Sequence, residues 1–342
     1  MAEHPNRTPP GVAKIGDVAQ RAGVSPATVS RVLNGSGAVS AERATRVREA
    51  ALELGYTPSG PARALRQQRT RVWAAIIADI QNPFFTSMVR GMEDVALAEG
   101  YRLVLGNTDE DLDKEAAYLD IAVAEQMAGV VIAVASARDS RLDVLLERGI
   151  PVVAVDRRPK RHEEAVDSVV VDNELGARQA TEHLLAAGAT RIGCITGPAR
   201  VSTASERLAG HQRALRDHGL AIDADLVRRA DFKEDGGYAA TRTLLGARRR
   251  PDALFVANNL MTLGALRAVQ EAGLRVPEDL LLVGFDDAPW TSLVSPQLTV
   301  VAQPTHEIGQ QAARLLATAS RDLPKRHVVL PPTLLVRASS GG

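Results

Sequence analysis

The chain of 342 residues has a single cysteine, Cys194, so no internal disulfide framework can staple it together. Its N-terminus is polar through Pro9 and Pro10 and lacks the apolar stretch of a secretory signal. No apolar run approaches the ~20 residues that cross a bilayer. A cytoplasmic protein is expected. The seven histidines are scattered, and none pairs with another at metal-ligand spacing. His211 and His218 lie two turns apart on one predicted helix, too far for one ion, and His306 and His327 read as surface residues. There is no Gly-x-Ser-x-Gly elbow, no phosphate-cradling glycine loop and no cysteine nucleophile. No metal, cofactor or catalytic residue is expected, so the chain does not read as an enzyme. Aromatics are scarce at 3%, which gives weight to where the few stand.

What is present is an uneven charge. Residues 1–70 hold ten Lys and Arg against five Asp and Glu, and the rest of this neutral chain cancels that surplus. A small basic head on an acidic body suggests that the head meets a polyanion. At this length two or three domains are expected. Residues 1–12 read as a disordered tail, 13–57 as a helical head, 58–71 as a linker and 72–342 as the body.

In the head, Ile15, Val18, Ala19 and Ala22 stand at helical spacing and Gly23 breaks the run. Ser25 can cap a second helix whose first turn accepts Pro26, and that helix stops near Asn34-Gly35. A third starts after Ser40 and ends at Gly55. Two short helices joined by a glycine-bearing turn, the second with a polar face, are a helix-turn-helix. Thr28, Ser30, Arg31 and Asn34 are expected to face out, and Val29, Val32 and Leu33 in. Arginine there can donate a bidentate pair to guanine, while Ser, Thr and Asn can hold phosphates.

From Val72 the pattern changes to apolar strand-like runs alternating with amphipathic helices. The runs are Val72–Ile80, Arg102–Gly106, Gly129–Ala135, Pro151–Val155, Val169–Val171, Ile192–Thr196, Ala253–Ala257 and Leu280–Gly284. Helical stretches include Ser87–Glu99, Glu174–Ala187, Ser205–Asp217, Gly236–Leu245 and Thr262–Ala272. Such alternation predicts an α/β body of parallel sheets, here two lobes, with ligand bound at the carboxyl ends of the strands. Cys194 falls in one of these runs as a small core residue.

The stretch Asp17 to Asn34, with Val39-Ser-Ala-Glu and Glu53-Leu-Gly-Tyr-Thr-Pro, resembles the headpiece of the LacI/GalR family, the lactose- and purine-repressor regulators. The resemblance implies that Pro26, Ala27 and Arg31 face bases, with Ser25, Thr28, Ser30 and Asn34 nearer the backbone and Tyr56 a further DNA-binding residue. Pro58 to Arg66 resembles that family's hinge helix, which forms on DNA and wedges a leucine into the minor groove; Leu65 holds that position, with Arg66 beside it. Residues 72–342 resemble its effector domain, built like periplasmic sugar-binding proteins and closest to a ribose-binding one. The lobes then divide as about 72–170 with 304–330, and 171–303 with 331–342.

Strand ends carry the chemistry that sugars need. Asn82, Phe84 and Phe85 follow the first run, and Asp156-Arg157 follows the fourth; Arg207 lies in Ala-Ser-Glu-Arg-Leu-Ala-Gly, and Phe232, Asn258, Asp286 and Gln303 end later runs. Hydroxyls take charged and amide partners while the C–H faces of a sugar pack on aromatic rings. Three of the five Phe fall in this set. All ten match the positions that hold sugar in the ribose-binding protein, which implies a pentose effector, ribose first. The resemblance further implies near-palindromic double-stranded operator DNA as partner and a homodimer, with no leucine-heptad tail to make tetramers. Other readings are control by a phosphorylated carrier protein, a nucleobase or nucleoside corepressor, and a solute receptor for a transporter.

Overall fold

The computed structural model describes residues 13–34, 39–56, 70–320 and 323–341. It divides into two compact units, Met1–Thr70 and Arg71–Gly342. The expected hinge, with Leu65 and Arg66, and the expected tail lie outside the described residues.

The first unit has helices α1 (Ile15–Ala22), α2 (Pro26–Asn34) and α3 (Ala41–Glu53). The Lys14 N–H donates to the Asp17 carboxylate at 2.7 Å as α1 begins, and α1 ends at Gly23 with φ 66. Ser25 caps α2 by accepting the Thr28 N–H at 3.2 Å. Helices this short do not persist alone in water. They are held by one shared core of Val18, Ala19, Ala22, Val29, Val47, Ala50 and Ala51. Ser30 corrects the expected facing: it is buried, not outward. Helix α2 packs on both α1 and α3, so its covered arc is wider than the Val29–Val32–Leu33 stripe alone.

The second unit holds two six-stranded sheets. The first contains β1 (Val72–Ile77), β2 (Arg102–Asn107), β3 (Gly129–Ile132), β4 (Val152–Val155), β5 (Asp167–Val171) and β11 (His327–Leu330), in the order β11-β5-β4-β3-β1-β2. The second contains β6 (Ile192–Thr196), β7 (Val227–Arg229), β8 (Ala253–Val256), β9 (Leu281–Phe285), β10 (Thr299–Ala302) and β12 (Thr333–Leu335), ordered β12-β10-β9-β8-β6-β7. All pairings among them are parallel except β10 with β12. Between strands run α4 (Pro83–Ala98), α5 (Leu112–Ala124), α6 (Asp143–Glu147), α7 (Asn173–Ala186), α8 (Ser202–Asp217), α9 (Glu234–Leu245), α10 (Asn259–Glu271) and α11 (Thr305–Ala317). The chain passes between the sheets three times: after β5, after β10, and between β11 and β12. This is the α/β architecture that the alternation predicted.

Local chemistry moves some boundaries. The first strand ends at Ile77 instead of Ile80, because the Asp79 carboxylate accepts the Gln81 N–H at 3.0 Å and turns the chain. Helix α4 then starts at Pro83, four residues before the apolar periodicity shows, since Asn82 caps it through the Phe84 N–H at 3.0 Å. Helices α4 and α11 close on each other at glycines. A Cβ on Gly309 would stand 1.9 Å from the Met88 carbonyl oxygen, and one on Gly91 2.1 Å from that of His306.

Cys194 is fully buried in β6, and burial pushes its thiol up to about 12, which keeps it unreactive at neutral pH. His211 on α8 is also core, stacked on Phe255 with centroids 6.1 Å apart and its Nδ1 3.0 Å from the Thr181 hydroxyl. Burial lowers its pKa to about 4. The unfolded chain therefore takes up a proton near pH ~6.5 that the folded one refuses, so stability is full above that pH and falls as pH drops toward 4. The loss amounts to about 3 kcal/mol. Thermal melts between pH 6.5 and 4 should fall less steeply for His211→Gln than for the parent chain; equal slopes would remove His211 as the cause.

Candidate functional site

On the head, Ser25, Pro26, Ala27 and Arg31 are exposed at the start and along the outer side of α2, and Thr28 is half-buried. The Ser25 hydroxyl stands 3.0 Å from that of Thr28, so capping already occupies it. Asn34 is the last residue of α2. Tyr56 is half-buried against the three-helix core, with its N–H donated to the Ala51 carbonyl at 2.8 Å. An N-terminal turn of small exposed residues followed by an exposed Arg is a shape that enters a major groove.

In the body, the ten residues expected at a sugar site line one cavity. It lies at the carboxyl ends of the strands of both sheets: Asn82 follows β1, Asp156 and Arg157 follow β4, Phe232 follows β7, Asn258 follows β8, Asp286 follows β9 and Gln303 follows β10. Three of them hold left-handed backbone, Asp156 at φ 64, Phe232 at φ 64 and Asp286 at φ 73. Non-glycine residues adopt that conformation at a cost, and functional sites are where such strain collects. Phe232 presses its ring on Gly197, where any Cβ would meet it at 2.1 Å. Phe84 and Phe85 pack edge to face at 5.0 Å and close the apolar wall.

The polar groups are held by one another and by the backbone. Glu110 accepts both terminal nitrogens of Arg157 at 2.6 Å, and Arg157 Nε lies 3.0 Å from Asp156. Arg157 Nη1 also donates to the Val134 carbonyl at 3.2 Å. Arg207 donates to Asn173 at 2.8 Å and to the Ala257 carbonyl at 2.6 Å, with its guanidinium 3.7 Å from the centre of the Phe285 ring. Gln303 donates to Asp286 at 2.5 Å. Asn258 caps α10 through the Met261 N–H at 2.8 Å and donates to the Phe232 carbonyl at 3.1 Å, so it serves the fold as well as the cavity.

Burial raises the pKa of Asp156, against the pull of Arg157 and Arg207, and likewise raises that of Asp286, against Arg207 and Gln303. Burial also works against charge on Arg157, but Glu110 and Asp156 outweigh it and its pKa is raised. Arg207, whose bonded partners are neutral, is lowered by burial. Strained, buried and oppositely charged groups converging on one cavity make it the candidate site.

Asp79, Glu110, Thr203, Asp231 and Lys233 also line the cavity and were not singled out from the sequence. Asp79 pairs with Lys233 across the cleft, and Asn259 donates to Asn82 at 2.9 Å, also across it. Asp231 and Lys233 flank Phe232 in sequence, a signal that was there to be used; Glu110 sits in an acidic turn that reads as solvated loop. Among the described residues no cluster of His, Cys, Asp or Glu could hold a metal ion, and no helix is long and apolar enough to cross a membrane.

Comparison with known proteins gives two matching family models. One described as bacterial regulatory proteins, lacI family, matches residues 14–59, and a periplasmic binding protein-like domain matches residues 181–340. The chain is 38% identical to a ribose operon repressor of Halalkalibacterium halodurans, over 96% of this chain and 97% of the relative. It is 35% identical to the transcriptional repressor PurR of Aliivibrio salmonicida, over 92% of this chain and 94% of that one. Among solved structures it superposes on the lac repressor dimer bound to operator and the anti-inducer ONPF. The TM-score is 0.83 at 28% identity, with 96% of this chain and 99% of the other covered.

Proposed function

The chain belongs to the lacI family of bacterial regulatory proteins, and from that premise we propose a cytoplasmic repressor that binds near-palindromic operator DNA as a homodimer and responds to a pentose, ribose first. The observation that carries the pentose reading is the convergence of Asp, Arg, Asn and Gln side chains with three phenylalanines on one cavity. Sugars need that mixture of hydrogen-bonding groups and flat apolar rings. The ribose operon repressor among the relatives supports the same choice. Pro26, Ala27 and Arg31 would face bases in the major groove, and Leu65, with Arg66 beside it, would wedge into the minor groove.

The mechanism follows from how the lobes are joined. Three chain crossings connect them, and ligand that touches both sides of the cleft stabilises the closed arrangement over the open one. Operator affinity shifts by as much as the ligand's affinity differs between the two, typically ~5–150-fold. Titration of ribose, other pentoses and nucleosides into full-length protein on fluorescent operator DNA tests this. Ribose should change operator affinity at sub-millimolar concentration, and indifference to every sugar would favour a carrier-protein signal.

Two substitutions separate the links. Arg31→Ala should weaken cognate operator binding by about 1–3 kcal/mol and relax preference at one base pair, leaving ribose binding alone. Asp286→Ala should leave operator binding intact and abolish the ribose response; loss of the thermal transition instead would make Asp286 a structural cap.

A further inference from the structure

The cavity lining is anionic on balance, with five carboxylates against three cations, Arg157, Arg207 and Lys233. Each cation is already engaged. Lys233 pairs with Asp79, and Arg207 directs two N–H groups at neutral oxygens of Asn173 and Ala257. Arg157 is taken by Glu110 in a two-pronged pair, both contacts 2.6 Å, with Asp156 on its third nitrogen at 3.0 Å.

Glu110 reaches Arg157 by an unusual route. Its backbone is left-handed at φ 62, directly after Asp109 at φ 53, and neither residue is glycine. Asp109 is pinned by the Asn107 amide at 2.8 Å and by Lys114 at 2.5 Å. The turn is thus built to bring the Glu110 carboxylate inward, where its side chain is only 14% exposed. A carboxylate and a phosphate oppose a guanidinium with the same bidentate geometry. Glu110 therefore stands where a ligand phosphate would otherwise bind.

We infer that Glu110 sets the ligand class: by occupying the Arg157 fork it closes the cavity to phosphorylated sugars and leaves it selective for the uncharged sugar. A phosphate entering the fork would have to expel Glu110, leaving that carboxylate unpaired beside Asp156 and the incoming dianion. The inference rests on the sugar reading above and names the form of sugar it concerns.

Calorimetry of the full chain with ribose, ribose 5-phosphate and inorganic phosphate tests it, using the parent, Glu110→Gln and Glu110→Ala. Glu110→Gln keeps the size but removes the charge and leaves only one oxygen to accept from Arg157. The parent should prefer ribose over ribose 5-phosphate by on the order of 100-fold, and both variants should lower that ratio about tenfold or more. Equal binding of the two ligands by the parent, or an unchanged ratio in both variants, overturns the inference. Should the parent bind no ribose, the sugar reading fails separately, and thermal melts with inorganic phosphate still decide. Phosphate should stabilise Glu110→Ala and not the parent; the same response in both overturns the role of Glu110.

Discussion

Two buried guanidinium groups set the terms for the body of this protein. Arg157, just after β4, and Arg207, in the second turn of α8, lie almost wholly out of solvent, and a charge there is tolerated only when it is paired and hydrogen-bonded. Arg157 meets this with Glu110 and Asp156; Arg207 meets it with Asn173, a backbone carbonyl and the face of Phe285. The surrounding polar shell follows from that requirement. Asp156 and Asp286 balance the cations, and the strained backbone at both carboxylates is the cost of aiming them into the cavity.

The same chemistry couples the lobes. Each sheet has its own apolar core. What crosses the cleft near the ligand cavity is polar: Asp79 with Lys233, and Asn82 with Asn259. Polar contacts of this kind exchange readily with water, in contrast to an apolar interface, and so suit a joint that opens and closes. Asn82 has a double part, since its oxygen also caps α4. Asn82 thus joins a contact across the cleft to the start of a helix that packs along α11 in the same lobe.

Much of this was legible from residue order. Ser25 as a cap, Gly23 and Gly55 as stops, and the alternation of apolar runs with helical periods all act within a few residues of one another. The strand-end turns were legible too, because a polar residue directly after an apolar run has few places to go but the ligand face of the sheet. Less visible were elements whose burial is one-sided. Edge strands β7, β11 and β12 are short and half-exposed, so they carry no continuous apolar signal. Ser30 was misjudged because its burial depends on how α2 sits against α1 and α3, which the stripe on α2 does not record.

By itself the residue order determined the helical head and the α/β character of the body, while the ten side chains that line the cavity were picked out with the help of the resemblance to sugar-binding proteins. It could do so because caps, stops and hydrophobic periods are local. Tertiary structure alone decided which charges answer one another. Glu110 is 47 residues from Arg157, and Lys233 is 154 from Asp79. Coulomb attraction depends on distance in space, and only the folding of two sheets toward a common cleft brings those groups within reach.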